Sequence, residues 1–181
     1  MRWTEAQKSL LANEPEPMDT LFRVHDSAVY AWWDLAGELE RYYPAAFPPV
    51  DFRQPLYVGL AETNLAQRFR RRHSRRIGQS SPRLSLAALL YKELDLLPGA
   101  RVQGGKLKLS ADAENELTRW MKAYLSFTHA VVDPGDVDSI ETMIIGHLLS
   151  PLNIQKAVGS PYKTLLELQR VELRRAIQQG S

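Results

Sequence analysis

The chain has 181 residues, 44% of them hydrophobic and 24% charged, with no cysteine and a net charge of +2. That is enough for one domain with a real core, and it excludes disulfide frameworks, thiolate zinc sites and cysteine nucleophiles. No apolar run is long enough to span a membrane, and the absence of a basic-then-apolar leader pattern leads us to expect a cytoplasmic protein. The charge is unevenly spread: Arg68, Arg70, Arg71, Arg72, Arg75 and Arg76 crowd into one short segment, which points to an anionic partner more than the small net charge does.

In chain order, residues 1–13 fit a short amphipathic helix on Trp3, Leu10 and Leu11, ended by Pro15 and Pro17. Residues 27–33, SAVYAWW, are apolar, β-branched and aromatic, and predict a strand. By itself Tyr30 in that strand reads as a core tyrosine with its hydroxyl near the surface. A long insertion follows over residues 34–54, rich in proline and aromatics, with a helical turn expected around Glu38, Leu39 and Glu40. Residues 56–60, LYVGL, predict the second strand, in which Gly59 leaves room for a close approach to the backbone.

A helix is expected to begin at Glu62 or Thr63. On its wheel Leu65, Ala66 and Phe69 share the buried side, and Asn64, Arg68, Arg71 and Arg75 share the opposite edge. An arginine run alone is a solvated face. Ser81 and Pro82 then read as the N-cap and first residue of a helix to about Leu94. Arg83 in its first turn opposes the helix dipole, which suggests service to a ligand. The amide groups there, with Ser80 and Arg83, suit a phosphate; an ordinary capped helix is the alternative.

Residues 97–109, with Gly104 and Gly105, fit a hairpin, Ser110 caps a helix to about Lys122, and residues 124–132 alternate as a third strand. His25, His129 and His147 receive no role. The next helix, Val137 to Leu149, has an apolar face of Val137, Ile140, Ile144, Ile145 and Leu148, with Glu141 in the middle of it. An ionised carboxylate there is costly unless a cation or hydrogen bonds offset the desolvation; alone it reads as a buried ion pair with an arginine. Pro151 ends the helix and places Asn153 in the turn beyond, where an asparagine commonly bonds backbone. The last helix, residues 161–179, is expected to dock through its leucines, Val171 and Ile177, with Arg170, Arg174 and Arg175 on its outer faces.

Taken together, the tripeptide Ala28-Val29-Tyr30, then Tyr57-Val58-Gly59, a helix carrying Asn64-Leu65-x-x-Arg68, a helix carrying Glu141, and Pro151-Leu152-Asn153 resemble the GIY-YIG nuclease family. The resemblance covers roughly residues 28–155. The chain departs from the family pattern in Ala28, where the family has Gly, and in its long insertion between the two tyrosine strands. Many family members carry a His one turn after the arginine; here that position is Arg72, and His73 comes one residue later.

The resemblance implies an α/β fold: a small, mostly antiparallel sheet of three strands flanked by helices. It implies one domain over residues 1–181, with a core of about 27–156, an N-terminal lead-in and a C-terminal packing helix. It implies hydrolysis of DNA phosphodiesters by Tyr30, Tyr57, Arg68, His73, Glu141 and Asn153, with Glu141 as ligand to Mg2+ or Mn2+. Arg68 would hold the scissile phosphate, and Tyr30 or Tyr57 would serve as base with a pKa lowered by nearby metal and arginine charge. Asn153 would hold this region in register. Asn64, Arg71, Arg72, Arg75 and Arg83 would contact the DNA backbone. A phenolic oxygen is dispensable for packing, so Phe at either tyrosine is expected to cost little stability. A non-catalytic nucleic-acid-binding module on the same scaffold and an RNA substrate are the alternatives, and the oligomeric state, monomer or homodimer, is open.

Overall fold

The computed structural model describes residues 1–51, 53–70 and 76–180. Its centre is an antiparallel sheet in the order β1 (Glu16–Pro17), β6 (Ser126–Val131), β2 (Ala28–Trp33), β3 (Tyr57–Ala61). The three long strands are those expected from their aromatic and β-branched runs; the two-residue β1 adds a fourth at one edge. β2 is central and all six of its residues are buried. Alternation sends Ala28, Tyr30 and Trp32 to one face and Val29, Ala31 and Trp33 to the other. The first set packs with Tyr57, Ala61, Phe69 and Phe127 under α3 (Ser81–Leu90), α4 (Ala111–Tyr124) and α6 (Lys163–Gln179). The second packs with Val58 and Ala130 against α1 (Trp3–Ala12) and α5 (Val137–Leu148). A continuous apolar strand is what a sheet covered on both faces requires.

β3 is the free edge, and the site lies on it. It pairs with β2 in the register Tyr30 to Gly59 and Trp32 to Tyr57, so the two tyrosines sit on a diagonal of one face. The insertion before β3 contains a 3₁₀ helix, Glu38–Tyr42, whose first amide groups donate to the buried Asp34 carboxylate at 3.0 and 2.7 Å. The two-stranded hairpin β4 (Arg101–Gln103) and β5 (Lys106–Lys108) stands apart from the main sheet, where residues 97–109 were expected to form it. No described helix is long and apolar enough to cross a membrane.

Candidate active site

Three side chains meet over the outer edge of the sheet. The Tyr57 and Tyr30 hydroxyls hydrogen-bond each other, and the Arg68 guanidinium donates to the Tyr30 oxygen. Gly59 makes this possible. A Cβ built on it would lie 2.6 Å from Tyr30 Oη and 2.7 Å from Tyr57 Cε1, so only glycine leaves the Tyr30 hydroxyl its place across β3. The Tyr30 ring is held edge-on by Phe69, with centroids 5.1 Å apart.

Arg68 is delivered by a short helix, α2 (Leu65–Arg68), whose N-cap Asn64 accepts from Gln67 N at 2.7 Å. Two further amide groups of its first turn, Leu65 and Ala66, donate to the carbonyls of Asp26 and Val24. Phe69 and Arg70 then open into a wider π-helical turn. Among the described residues Arg68 Nε is buried without a partner, and the residue lines a groove of about 280 Å³ with Leu60, Thr63, Asn64 and Gln67.

On the other side of β3, a small cavity of about 40 Å³ is lined by Tyr57, Ser81, Glu141, Asn153, Gln155 and Lys156. Asn153 pairs with the strand as another strand would: its Oδ1 accepts from Val58 N and its Nδ2 donates to Val58 O, both at 2.9 Å. The loop asparagine therefore bonds backbone, as loop asparagines do, and the backbone it fixes is that of the residue after Tyr57. Glu141 comes from α5, which packs on β3. Its Oε2 receives Lys156 Nζ at 2.7 Å, so the buried ion pair expected for it is made with a lysine.

Burial dominates the electrostatics. It pushes the Glu141 carboxyl above the ordinary range, with Lys156 opposing. It raises Tyr30, against the Arg68 charge and hydrogen bond, and carries Tyr57 well above the ordinary tyrosine value. The expected lowering of the tyrosine pKa thus exists as a contribution from Arg68, and burial outweighs it. Burial also opposes the Arg68 charge, but Tyr30, Tyr57 and Glu141 together hold its pKa above the usual value. Tyr30 is 0% exposed and Tyr57 8%, so of the two it is Tyr57 that faces the Glu141 cavity.

Of the residues named from sequence, Tyr30, Tyr57, Arg68, Glu141 and Asn153 come together at this edge, and Asn64 lies beside Arg68 as a helix cap. Arg71, Arg72, His73 and Arg75 lie outside the described residues. Arg83 is a correction. It is fully buried beneath α3, with Nε and Nη2 on Glu114 Oε2 at 3.0 and 2.9 Å and Nη2 on Thr118 Oγ1 at 2.8 Å, and it serves the core instead of a phosphate. Ser80, one residue earlier than expected, is the N-cap of α3 and accepts from Arg83 N.

Two cations beside the site had no assigned role. Lys156 adopts a left-handed backbone, φ 62°, in a turn whose chemistry carries no motif. Arg170, expected on an outer face of the last helix, instead points inward, giving hydrogen bonds to Ser81 O, Ser81 Oγ and Ser85 Oγ at 2.5, 2.9 and 2.6 Å. Burial pulls its pKa down to about 10, with the neighbouring Glu167 and Tyr57 opposing. The reason is the helical stripe: positions 166, 170, 173 and 177 share one side, and Leu166, Leu173 and Ile177 are its buried members.

Comparison with curated proteins and with solved structures gave no match. The family model described as the GIY-YIG catalytic domain matches residues 45–174, more than two thirds of the chain. The match takes in Tyr57, Arg68, Glu141 and Asn153 and begins after Tyr30, whose place beside them rests on the β2–β3 pairing. With an antiparallel sheet flanked by helices and a tyrosine, arginine and glutamate gathered at its edge strand, the chain belongs to the GIY-YIG nuclease family.

Proposed function

We propose that the chain is an endonuclease that hydrolyses phosphodiester bonds in DNA, acting as one catalytic unit with a divalent cation at Glu141. The observation that carries this reading is the convergence of Tyr57, Arg68 and Glu141 around the Gly59 edge. Arg68 suits a phosphate: its guanidinium is half-buried, its Nε has no partner among the described residues, and its planar fork matches two phosphate oxygens.

The donor set fits a hard cation. Glu141 is a single buried carboxylate beside a water-sized cavity, and the Lys156 ammonium already stands where a cation would. Among the described residues no group of three or more His, Cys, Asp or Glu side chains gathers. A site with one carboxylate and room for water suits Mg2+ or Mn2+, which keep much of their hydration and take the rest from phosphate. Bound there, such an ion supplies positive charge against the phosphate and the leaving oxygen and favours loss of a proton from the tyrosine pair.

The protein's own part follows from the hydrogen bonds. Tyr57 faces the cavity and Tyr30 stands behind it, bonded to both Tyr57 and Arg68. When the pair has lost one proton, the charge rests on Tyr30, where two donors meet it. Water then attacks phosphorus, the phosphorus–oxygen ester bond breaks, and the leaving oxygen takes a proton from solvent water to depart as a hydroxyl. The water's proton passes to Tyr57 as Tyr57's own proton moves to Tyr30. Asn153 keeps Tyr57 in register by fixing Val58.

One observation favours the non-catalytic alternative: Lys156 holds the Glu141 oxygen while Tyr30 is closed off from solvent. Both readings, and an RNA substrate, are separated by incubating the protein with supercoiled plasmid, duplex DNA, single-stranded DNA and RNA, with Mg2+, with Mn2+ and with chelator. Metal-dependent cuts in DNA that disappear in Arg68→Ala are expected. Binding without cleavage under every condition would leave the binding module.

A further inference from the structure

A second feature lies beyond the catalytic edge. The β4–β5 hairpin, the 3₁₀ turn Ile77–Gln79 and the start of α4 enclose an open groove of about 700 Å³. Its wall carries Arg76, Arg101, Lys106 and Lys108, with Gln79 and Asn115 between them. All four cations are exposed, and none forms an ion pair with a described carboxylate. The acid in the wall, Glu114, is already committed: Oε2 to Arg83 and Oε1 to Ile77 N at 2.9 Å. The groove thus has four cations facing water and one carboxylate neutralised from behind.

The hairpin is held as a wall. Arg174 of α6 donates to Gly105 O in the hairpin turn at 2.9 Å. Leu107 and Leu109 are buried beneath it. Leu107 O would lie 3.1 Å from a Cβ on Gly78, so the hairpin rests directly against the 3₁₀ turn. The groove also adjoins the catalytic edge, because Arg76, Gly78 and Gln79 line it while Ser81, in the same short stretch, lines the Glu141 cavity.

We infer that this hairpin groove is a second nucleic-acid contact, gripping the phosphodiester backbone of the duplex at a distance from the bond being cut. The inference rests on the nuclease reading for its substrate and on the groove's charge for its place. Phosphates are the polyanion such a groove matches: backbone contacts need donors and positive charge at intervals, carry no base information, and position the duplex. Long polar side chains among the cations supply neutral donors of the kind found at such contacts.

The test uses the full chain with Arg101→Gln, Lys106→Gln and Lys108→Gln combined. These sites are exposed, so the fold is expected to hold, and circular dichroism with thermal melting checks it; single Lys106→Gln serves if the triple variant melts early. Binding of a labelled duplex longer than two helical turns is measured by anisotropy across a salt series. The slope of log affinity against log salt should fall by about 2.7, at about 0.9 per lost phosphate contact, and affinity at low salt should drop about tenfold or more. Neutralising Lys8, Arg41 and Lys92 instead should leave the slope in place. Hydrolysis of bis(4-nitrophenyl) phosphate, too small to reach the groove, should be unchanged while the KM for duplex rises.

A triple variant with wild-type slope and affinity overturns the groove contact, and if plasmid is still cut the nuclease reading stands alone. Loss of duplex affinity in a protein that cuts nothing keeps the groove and overturns the nuclease. Equal loss on single strands and duplexes removes the duplex from the proposal.

Discussion

Lys156 holds Glu141 with Nζ at 2.7 Å from Oε2, and the same ammonium reaches Asp138 Oδ1 at 2.6 Å. It does so from a left-handed backbone, φ 62°, a conformation that costs a non-glycine residue about 1–2 kcal/mol. Glu141 is buried and Asp138 largely exposed, so the attraction that matters is with Glu141. A divalent ion at Glu141 must share or displace this ammonium.

The first prediction follows. Lys156→Asn keeps a residue tolerant of the left-handed region and removes the charge, leaving Glu141 buried and unpaired. Breaking a buried pair in this way costs about 3–5 kcal/mol, discounted here because Lys156 is about a third exposed. The melting temperature should therefore fall, and Mn2+ should restore it by more than it raises the wild type. In Lys156→Asn with Glu141→Gln the Mn2+ response should vanish. Equal Mn2+ shifts in all three proteins, read by differential scanning fluorimetry, would place the ion elsewhere.

Gly59 gives the second. Its missing Cβ is the space in which Tyr30 Oη lies, with a built Cβ 2.6 Å from that oxygen and 2.7 Å from Tyr30 Cζ. Both rings are packed into the core, so neither yields freely. Gly59→Ala should cost about 1–3 kcal/mol from overpacking and move the Tyr30 hydroxyl off Arg68. A misplacement of about 1 Å is enough for about a 10²-fold loss of rate. Denaturant midpoint and plasmid cleavage are the two measurements; a variant as stable and active as wild type would mean the edge is loosely built.

Much of this edge could be read from sequence, and the reasons differ by residue. The strands around Tyr30 and Tyr57 came from aromatic and β-branched runs, and their ends were right to within one residue, with Asp26, Asp34 and Pro55 close to their ends. Glu141 stood out as a carboxylate inside an apolar helical stripe, which the burial of Val137, Ile140, Ile144 and Ile145 bears out. Its partner did not: Lys156 is 15 residues on, in a turn with no periodicity to place it. Arg83 failed differently. Its first-turn position signalled an anion correctly, but the anion is Glu114, 31 residues away, and a local argument cannot tell a ligand from a distant side chain. The question of Arg72 or His73 stays where the sequence left it, because both lie outside the described residues.

Arg83 supplies the third prediction. With Glu114 it forms a buried pair that also satisfies Ile77 N and Thr118 Oγ1. Arg83→Met leaves the Glu114 carboxylate without its charged partner and should cost about 3–5 kcal/mol, seen as a lower denaturant midpoint. Duplex affinity of the folded variant, measured well below its melting temperature, should match wild type. Weaker duplex binding at unchanged stability would return Arg83 to the phosphate-binding residues.

The last prediction concerns the two tyrosines, which the structure makes unequal. The Tyr57 hydroxyl bonds that of Tyr30 and faces the Glu141 cavity; Tyr30 bonds Tyr57 and Arg68 and is closed to solvent. The expectation that Phe is cheap at both positions therefore needs revision. Tyr57→Phe removes one hydroxyl and leaves Tyr30 still bonded to Arg68, so its stability cost should be small. Tyr30→Phe removes the hydrogen-bond partner of both neighbours in a buried place where Arg68 Nε already lacks one among the described residues, and should cost about 1–3 kcal/mol. In rate, Tyr57→Phe should lose about 10²-fold or more, the usual size of a general-base effect, with duplex affinity unchanged because phosphate contacts supply it. Tyr30→Phe should slow cleavage too, through a Tyr57 hydroxyl without its proton acceptor and an Arg68 set loose from its place. It should therefore also weaken duplex binding, which Tyr57→Phe should not. The assay is single-turnover cleavage with anisotropy and melting in parallel, after wild-type activity is established. A Tyr57→Phe protein that cleaves at the wild-type rate would end the case for Tyr57 as the proton acceptor. If Tyr30→Phe were then the slower of the two without any loss of stability or affinity, the base would be Tyr30, reached by a movement of the edge strand that opens its hydroxyl to water.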